Sequence, residues 1–282
     1  MEYRTILVHV DESRRAHEQI RIAALLAQKY DAHLIGAAAT GVAPQFFMPG
    51  VIGESNLALL GPALSELREH AASLLTEFES AAWKMDVKSF EKRLIDDDAG
   101  TGLVLQARYS DLVVIGQVNP ADYSPLLRAD FQEYVLMNSG RPLLIVPYAG
   151  HFPQIGNRVL LAWDGSMEAT RAVSASIPLL QRAELVQVLV LDSGRQTDVH
   201  GEQPGADIAI YLARHGVKLE VSDQKMPADI DVGNALLSHA ADFGADLIVM
   251  GGYGHTRFRE ILLGGVTRTV LASMTVPVLI SH

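Results

Sequence analysis

Short, unbroken apolar runs alternate along this chain with longer stretches in which apolar residues recur every three or four positions. Such runs, with two segments interrupted by charges (Val87–Leu94 and Val217–Val221), predict strands at Ile6–Val10, Ala32–Ala39, Val87–Leu94, Leu112–Ile115 and Leu143–Val146, then Val159–Trp163, Leu185–Leu191, Val217–Val221, Leu247–Met250 and Val278–Ser281. Runs of this length predict strands covered on both faces. The stretch from Ser13 to Tyr30 places Ala16, Ile20, Ala23, Ala24 and Ala27 on one helical face, with Ser13 as the candidate N-cap. Helices are also predicted from Pro62 to about Met85, near Gly102–Arg108 and near Phe131–Met137. Strands alternating with helices predict an α/β protein with parallel, doubly wound sheets.

The pattern occurs twice. Residues 5–13 read TILVHVDES and residues 158–166 read RVLLAWDGS, which sets Asp11 and Asp164 153 residues apart. DLVVIG (111–116) returns as DLIVMG (246–251), 135 residues later. RPLLIVP (141–147) and VPVLISH (276–282) end the two halves, with Pro142 and Pro277 again 135 apart. The offset falls by 18, so the first half carries an insert of about that length. Residues 41–61, GVAPQFFMPGVIGESNLALLG, are the excess. A Gly/Pro-containing linker, YAGHFPQIGN (148–157), separates the halves. The expected domains are therefore 1–148 and 156–282.

Composition narrows the function classes. The chain has 282 residues, no cysteine, 49% apolar residues and a formal net charge of −10. Disulfides and cysteine-ligated metals are excluded, and a reducing compartment is expected. The acidic balance argues against a nucleic-acid surface. MEYRTILVHVDES lacks the basic region and long apolar core of a signal peptide. No stretch reaches the roughly 18 uncharged apolar residues of a membrane span. A cytoplasmic protein is the resulting expectation.

The strongest local chemistry is MGGYGHTRFREILLGGVTRTV (250–270). Gly251 directly follows a predicted strand, Gly254 comes three residues later, and Gly264 and Gly265 precede a helical pattern carrying Val266, Val270, Leu271 and Met274. Strand, glycine turn and helix N-terminus together make an anion site: glycine lets the backbone approach a phosphate, and the helix end offers unpaired N–H groups. His255, Arg257, Arg259 and Arg268 add positive potential against Glu260. No P-loop is present, and Gly-Gly-Tyr-Gly does not fit the dinucleotide fingerprint.

Gly251-x2-Gly254-x9-Gly264-Gly265 resembles the signature of universal stress proteins, G-x2-G-x9-G-(S/T), and Asp164 matches the aspartate that ends their first strand. The resemblance covers nearly the whole chain. It implies two Rossmann-like, adenine-nucleotide-binding domains in tandem, packed as a pseudo-dimer in which Leu143–Val146 pairs with Val278–Ser281. It further implies a stress-response protein that binds ATP, ADP or AMP, with Mg²⁺ accompanying a triphosphate. Adenine would sit by Asp164, Gly165, Ser166 and Val190. Ribose and phosphates would meet Met250, Gly251, Gly254, His255, Gly264, Gly265, Val266 and Thr267. Gly265 replaces the hydroxyl residue of the signature, and Thr267 is a candidate substitute. In the first half the motif positions read Gly116, Asn119, Ala129 and Asp130. A carboxylate at the phosphate position disfavours a nucleotide there, and Asp130 also reads as a helix N-cap.

Other clusters read as structural. Asp96-Asp97-Asp98 suits a helix N-terminus rather than a metal. His9 and His33 fall on predicted strands, as core or edge residues. Ser13 and Ser166 lack a G-x-S-x-G elbow, and no nucleophile–base pair is evident, so no catalytic or metal-ligating residue is assigned. Alternatives stay open. One is a nucleotide-free protein that uses the apolar insert, with Phe46, Phe47, Met48, Val51 and Ile52, for a hydrophobic ligand or a protein partner. The other is a slow ATP hydrolase. A homodimer is a further open expectation.

Overall fold

The computed structural model describes residues 2–43, 54–119, 121–122, 127–191, 203, 205–225, 231–253 and 265–282, the side chains of 54–60 excepted. The chain divides into two compact units, Glu2–Arg141 and Pro142–His282.

The first unit runs β1 (Thr5–His9), α1 (Ala16–Tyr30), β2 (His33–Ala39), α2 (Glu54–Lys84), β3 (Phe90–Ile95), α3 (Ala99–Ala107), β4 (Leu112–Gly116), α4 (Phe131–Ser139). Its strands lie in the order β3-β2-β1-β4, and the pairings within it are parallel. The second unit begins with β5 (Leu143–Val146). It continues β6 (Arg158–Ala162), α5 (Met167–Leu180), β7 (Leu185–Leu191), α6 (Ala206–Arg214), β8 (Leu219–Gln224), α7 (Val232–Phe243), β9 (Leu247–Gly251), α8 (Gly265–Ser273), β10 (Val278–Ser281). The order here is β5-β10-β9-β6-β7-β8. β5 runs antiparallel to β10, with Leu144 opposite Leu279, and the other pairs are parallel.

The central strands are buried on both faces, which is why they read as continuous apolar runs. Ile6, Leu7 and Val8 of β1, Leu112–Ile115 of β4, Val159–Leu161 of β6 and Leu247–Val249 of β9 are fully enclosed. In each unit the strand order reverses at the first strand, so a crevice opens beyond the carboxyl ends of β1 and β4, and of β6 and β9. Open α/β sheets bind ligands at such a switch point.

The repeated DL(V/I)V(I/M)G motif has a structural origin at its aspartate. Asp111 accepts hydrogen bonds from the main-chain N–H groups of Arg4 and Thr5, at 2.7 and 2.9 Å. Asp246 accepts from those of Gly156, Asn157 and Arg158, at 2.9 to 3.2 Å. Each carboxylate thus pins the start of the first strand of its own repeat. The following apolar residues form the neighbouring strand.

Two local expectations are revised. Ser13 does not cap α1. The N-cap position is Arg15, which makes no side-chain cap, and the Ser13 hydroxyl turns back to Asp11 instead. The second long helix begins at Glu54, not Pro62, and carries Pro62 inside it. Pro62 is the ninth residue of this helix, so it removes one main-chain hydrogen bond to the carbonyl four residues earlier, and the helix continues past it. Asp98 does cap its helix, accepting from the N–H groups of Gly100 and Thr101.

Candidate functional site

β6 ends in Asp164-Gly165-Ser166, a turn that delivers the chain into α5. Asp164 Oδ1 accepts from Ser166 N at 3.0 Å and from Ser166 Oγ at 2.6 Å. Ser166 Oγ in turn accepts from Ala169 N at 3.1 Å and so caps α5. Gly165 takes φ 73°, which a side chain would resist. Asp164 is exposed, and these bonds use one carboxylate oxygen, leaving Oδ2 outside the turn. Val190 is fully buried in β7, so its side chain belongs to the core.

β9 reaches the same end of the sheet with Met250, buried, and Gly251. A Cβ on Gly251 would lie 2.5 Å from Ala169 N and 2.7 Å from the Glu168 carbonyl carbon. The first turn of α5 therefore sits directly on the main chain at the end of β9, and only glycine permits that approach. Gly252 N donates to Ser281 O at 2.9 Å, and Gly252 O lies 3.1 Å from His282 Nδ1. Tyr253 adopts φ 56°, and its N–H donates to Thr267 Oγ1 at 3.2 Å. Thr267, on the first turn of α8, is nearly buried. Its hydroxyl oxygen braces the start of the glycine loop. At Gly265, the first residue of α8, no atom of the described residues lies within 4 Å of where a Cβ would stand. Val266 beside it is half-buried, and Arg268 is exposed. Gly254, His255 and Gly264 lie outside the described residues, as do Arg257 and Arg259. The structure thus brings Asp164, Gly165 and Ser166 to the mouth of the β6–β9 crevice, with Gly251 against the helix they cap.

The first unit keeps half of this arrangement. Asp11 Oδ1 accepts from Ser13 N at 3.0 Å and from Ser13 Oγ at 2.6 Å, as its counterpart does with Ser166. Beyond that the two differ. Where Gly251 approaches bare main chain, Gly116 approaches a side chain: its Cβ would meet Gln19 Nε2. Gln19 is buried and stands where the second repeat has Ala172. At the start of α4, Asp130 occupies the N-cap position without capping. It pairs with Arg128 through two contacts of 2.9 and 3.0 Å. The Arg128 hydrogen bond holds the Asp130 carboxyl below its usual range, so the group is ionised at neutral pH. The carboxylate comes with its own guanidinium, which softens its repulsion of a phosphate while occupying the same space.

Sequence reasoning did not find Gln19, because a glutamine on an apolar helical face carries no motif. It also did not separate Gly251, fixed by packing, from Gly265, whose Cβ position no described residue approaches. Among the described residues no group of three or more His, Asp or Glu side chains converges as a metal site. No described helix is long and apolar enough to cross a membrane.

A sequence model of the universal stress protein family matches residues 2–147 and again 156–282. The chain belongs to the universal stress protein family. Its two repeats are α/β, Rossmann-like domains of that family in tandem. Over 150 residues it is 29% identical to universal stress protein Slr1230 of Synechocystis, a match covering 52% of this chain and 49% of that protein. The alignment thus spans about half the length of that relative. It is 26% identical over 147 residues to universal stress protein YxiE of Bacillus subtilis, covering 44% of this chain and 97% of that one. A universal stress protein of Archaeoglobus fulgidus superposes with a TM-score of 0.72 at 16% identity, over 98% of this chain and 97% of its own. That likeness is one of fold across both repeats.

Proposed function

We propose that this universal stress protein binds an adenine nucleotide (ATP, ADP or AMP) through its second repeat, and that it works as a nucleotide-responsive regulator rather than an efficient enzyme. The observation that carries this reading is the contrast between the two α-helix starts. Among the described residues nothing stands near the Cβ position of Gly265 on the first turn of α8, whereas the matching turn of α4 carries the Arg128–Asp130 pair. An uncovered helix N-terminus beside a glycine loop favours phosphate through its N–H groups and dipole. The exposed Asp164 at the neighbouring strand end offers a carboxylate oxygen to an amino group of the base. One universal stress protein has been solved in complex with cAMP, which shows that an adenine nucleotide is a ligand within the family. A bound triphosphate would bring its own Mg²⁺, since phosphates are the usual magnesium ligands and no acidic cluster awaits the ion among the described residues.

Gly265 also sets which part of the nucleotide counts most. A hydroxyl there would donate to a phosphate oxygen. A hydrogen bond to a charged group contributes about 1.5–3 kcal/mol, or about tenfold in affinity and more. Without it, AMP and ADP should bind nearly as well as ATP, and GTP poorly. Trp163 adjoins Asp164 and gives a fluorescence readout once Trp83 is replaced by Phe. Competition titrations of the four nucleotides on that protein and on its Gly265→Ser form test the proposal. Serine should strengthen ATP selectively. Absence of binding by all adenine nucleotides would refute the reading, and a preference for ATP over AMP beyond about a hundredfold, about 2.7 kcal/mol, would refute the role given to Gly265.

A further inference from the structure

The first repeat holds a cavity of its own, at the carboxyl ends of β1 and β2. It is lined by His9, Asp11, Glu12 and His70 together with the apolar Val10, Ala39, Leu74, Ala99 and Leu127, and encloses about 30 Å³. That volume takes one group the size of a water or an ammonium ion. His9 is 3% exposed, and its Nδ1 has no hydrogen-bond partner. A buried polar atom left in that state is costly and calls for an occupant. The Asp11 carboxylate oxygen Oδ2 lies 3.7 Å away, too far for a direct bond. Asp11 Oδ1 is already held by the Ser13 turn, so Oδ2 is the oxygen that faces His9. Glu12 and His70, 3.1 Å apart and both partly exposed, form a pair among the lining residues.

These features are particular to the first repeat. The repeat offset sets His9 opposite Ala162 and Glu12 opposite Gly165. The Asp–Ser turn is retained, but a buried imidazole and a second carboxylate have been added around it. We propose that this cavity binds the ammonium head group of a small primary amine. The head group would donate one N–H to Asp11 Oδ2 and another to the unpartnered His9 Nδ1, bridging a gap that neither can close alone. Burial holds His9 below its ordinary histidine value, outweighing the pull of Asp11, so the ring is neutral at pH 7 and can accept. The charge balance selects the same class. The carboxylates Asp11 and Glu12 disfavour anions at a site with no lysine or arginine among its described lining residues. A short alkyl chain suits Leu74, Ala99 and Leu127.

The test is independent of the nucleotide proposal for the second repeat. The full chain, labelled with ¹⁵N-histidine, is titrated at pH 7 and constant ionic strength with n-butylammonium, n-butanol and butyrate, and the His9 ring nitrogens are followed by NMR. The expected result is a saturable shift of His9 Nδ1 with butylammonium and none with the other two. Asp11→Asn should weaken that response at least about tenfold. Because the same substitution alters the Ser13 turn, the three-probe series on the unmodified protein decides by itself. No saturable shift, or an equal shift with butanol or butyrate, overturns the proposal. Displacement of butylammonium by ATP would also overturn it, by making the cavity a nucleotide site. ATP binding that leaves the His9 response unchanged supports it.

Discussion

Gly251 and Gly265 belong to one motif, yet they are glycine for different reasons. A methyl group on Gly251 would press into the main chain of Glu168 and Ala169, which cannot rotate away as a side chain can. Overpacking of this kind costs about 1–3 kcal/mol, so Gly251→Ala should lower stability by that amount. Gly265→Ala meets no described residue and relieves glycine's entropy in a helix, so its stability should hold or rise by less than about 1 kcal/mol. Urea unfolding followed at Trp163 compares them, and equal losses would contradict the packing account. His9 gives a second prediction at this scale. Its folded pKa lies below the ordinary value near 6.5. Between those two values the unfolded chain binds a proton that the folded chain does not. Stability from this group is therefore complete above about pH 6.5, is lost progressively as pH falls towards the folded value, and then levels off. His9→Phe should show a shallower loss between pH 7 and 5 than the unmodified protein. Identical slopes, followed at Trp83, would show that His9 does not titrate in that window.

At the scale of elements, the central apolar runs became strands because both of their faces are covered, whereas β3 and β8 are partly exposed and carry charges; the repeat placed them in order. Boundaries were less legible. Ser13 reads as a helix cap, but Asp11 two residues earlier competes for its hydroxyl, whereas Ser166 both bonds to Asp164 and caps α5. Identical letters thus act differently because α1 begins three residues after Ser13 and α5 begins immediately after Ser166. Pro62 reads as a helix start and lies inside one. Of the candidate site, Asp164, Ser166 and Gly251 stand out in the sequence by spacing, whereas Gln19 depends on which side chains the fold brings together. The aspartate clamps were visible only as an unexplained match. Removing one should matter, because Asp246 satisfies three main-chain N–H groups that would otherwise enter β6 unpaired. Charged hydrogen bonds contribute about 1.5–3 kcal/mol each when lost. Asp246→Ala should therefore destabilise by at least about 2 kcal/mol in the Trp163-monitored transition, and Asp111→Ala should do likewise in the Trp83-monitored one. A change under about 0.5 kcal/mol, the range of ordinary surface substitutions, would show that the clamp is dispensable.

Across the whole molecule the two repeats share a fold but not a surface chemistry, and that asymmetry makes the stoichiometry a test. The second repeat has a glycine, Gly251, that admits α5 against β9, and a helix start at Gly265 that no described side chain approaches. The first presents Gln19 over Gly116 and an ion pair at α4. Calorimetric titration with ADP should therefore give about one site per chain. Gly265→Asp places a carboxylate where no described residue stands within 4 Å of the Cβ position, so the fold should tolerate it while repulsion removes phosphate-dependent affinity. Ala129→Glu, an exposed position at the matching turn of the first repeat, should leave binding unaltered. The reverse experiment is sharper. If only the Asp130 carboxylate kept nucleotide from the first repeat, Asp130→Gly would create a second site. The structure argues otherwise: Arg128 would then stand unpaired and attract phosphate, but Gln19 would still fill the space above Gly116, and the cavity beside Asp11 would still hold the buried His9. One site per chain is thus expected even with Asp130→Gly, and a second appears only when Gln19→Ala and His9→Ala are added to restore the small side chains of the second repeat. Two equivalent sites in the unmodified protein would show that these differences between the repeats do not govern binding.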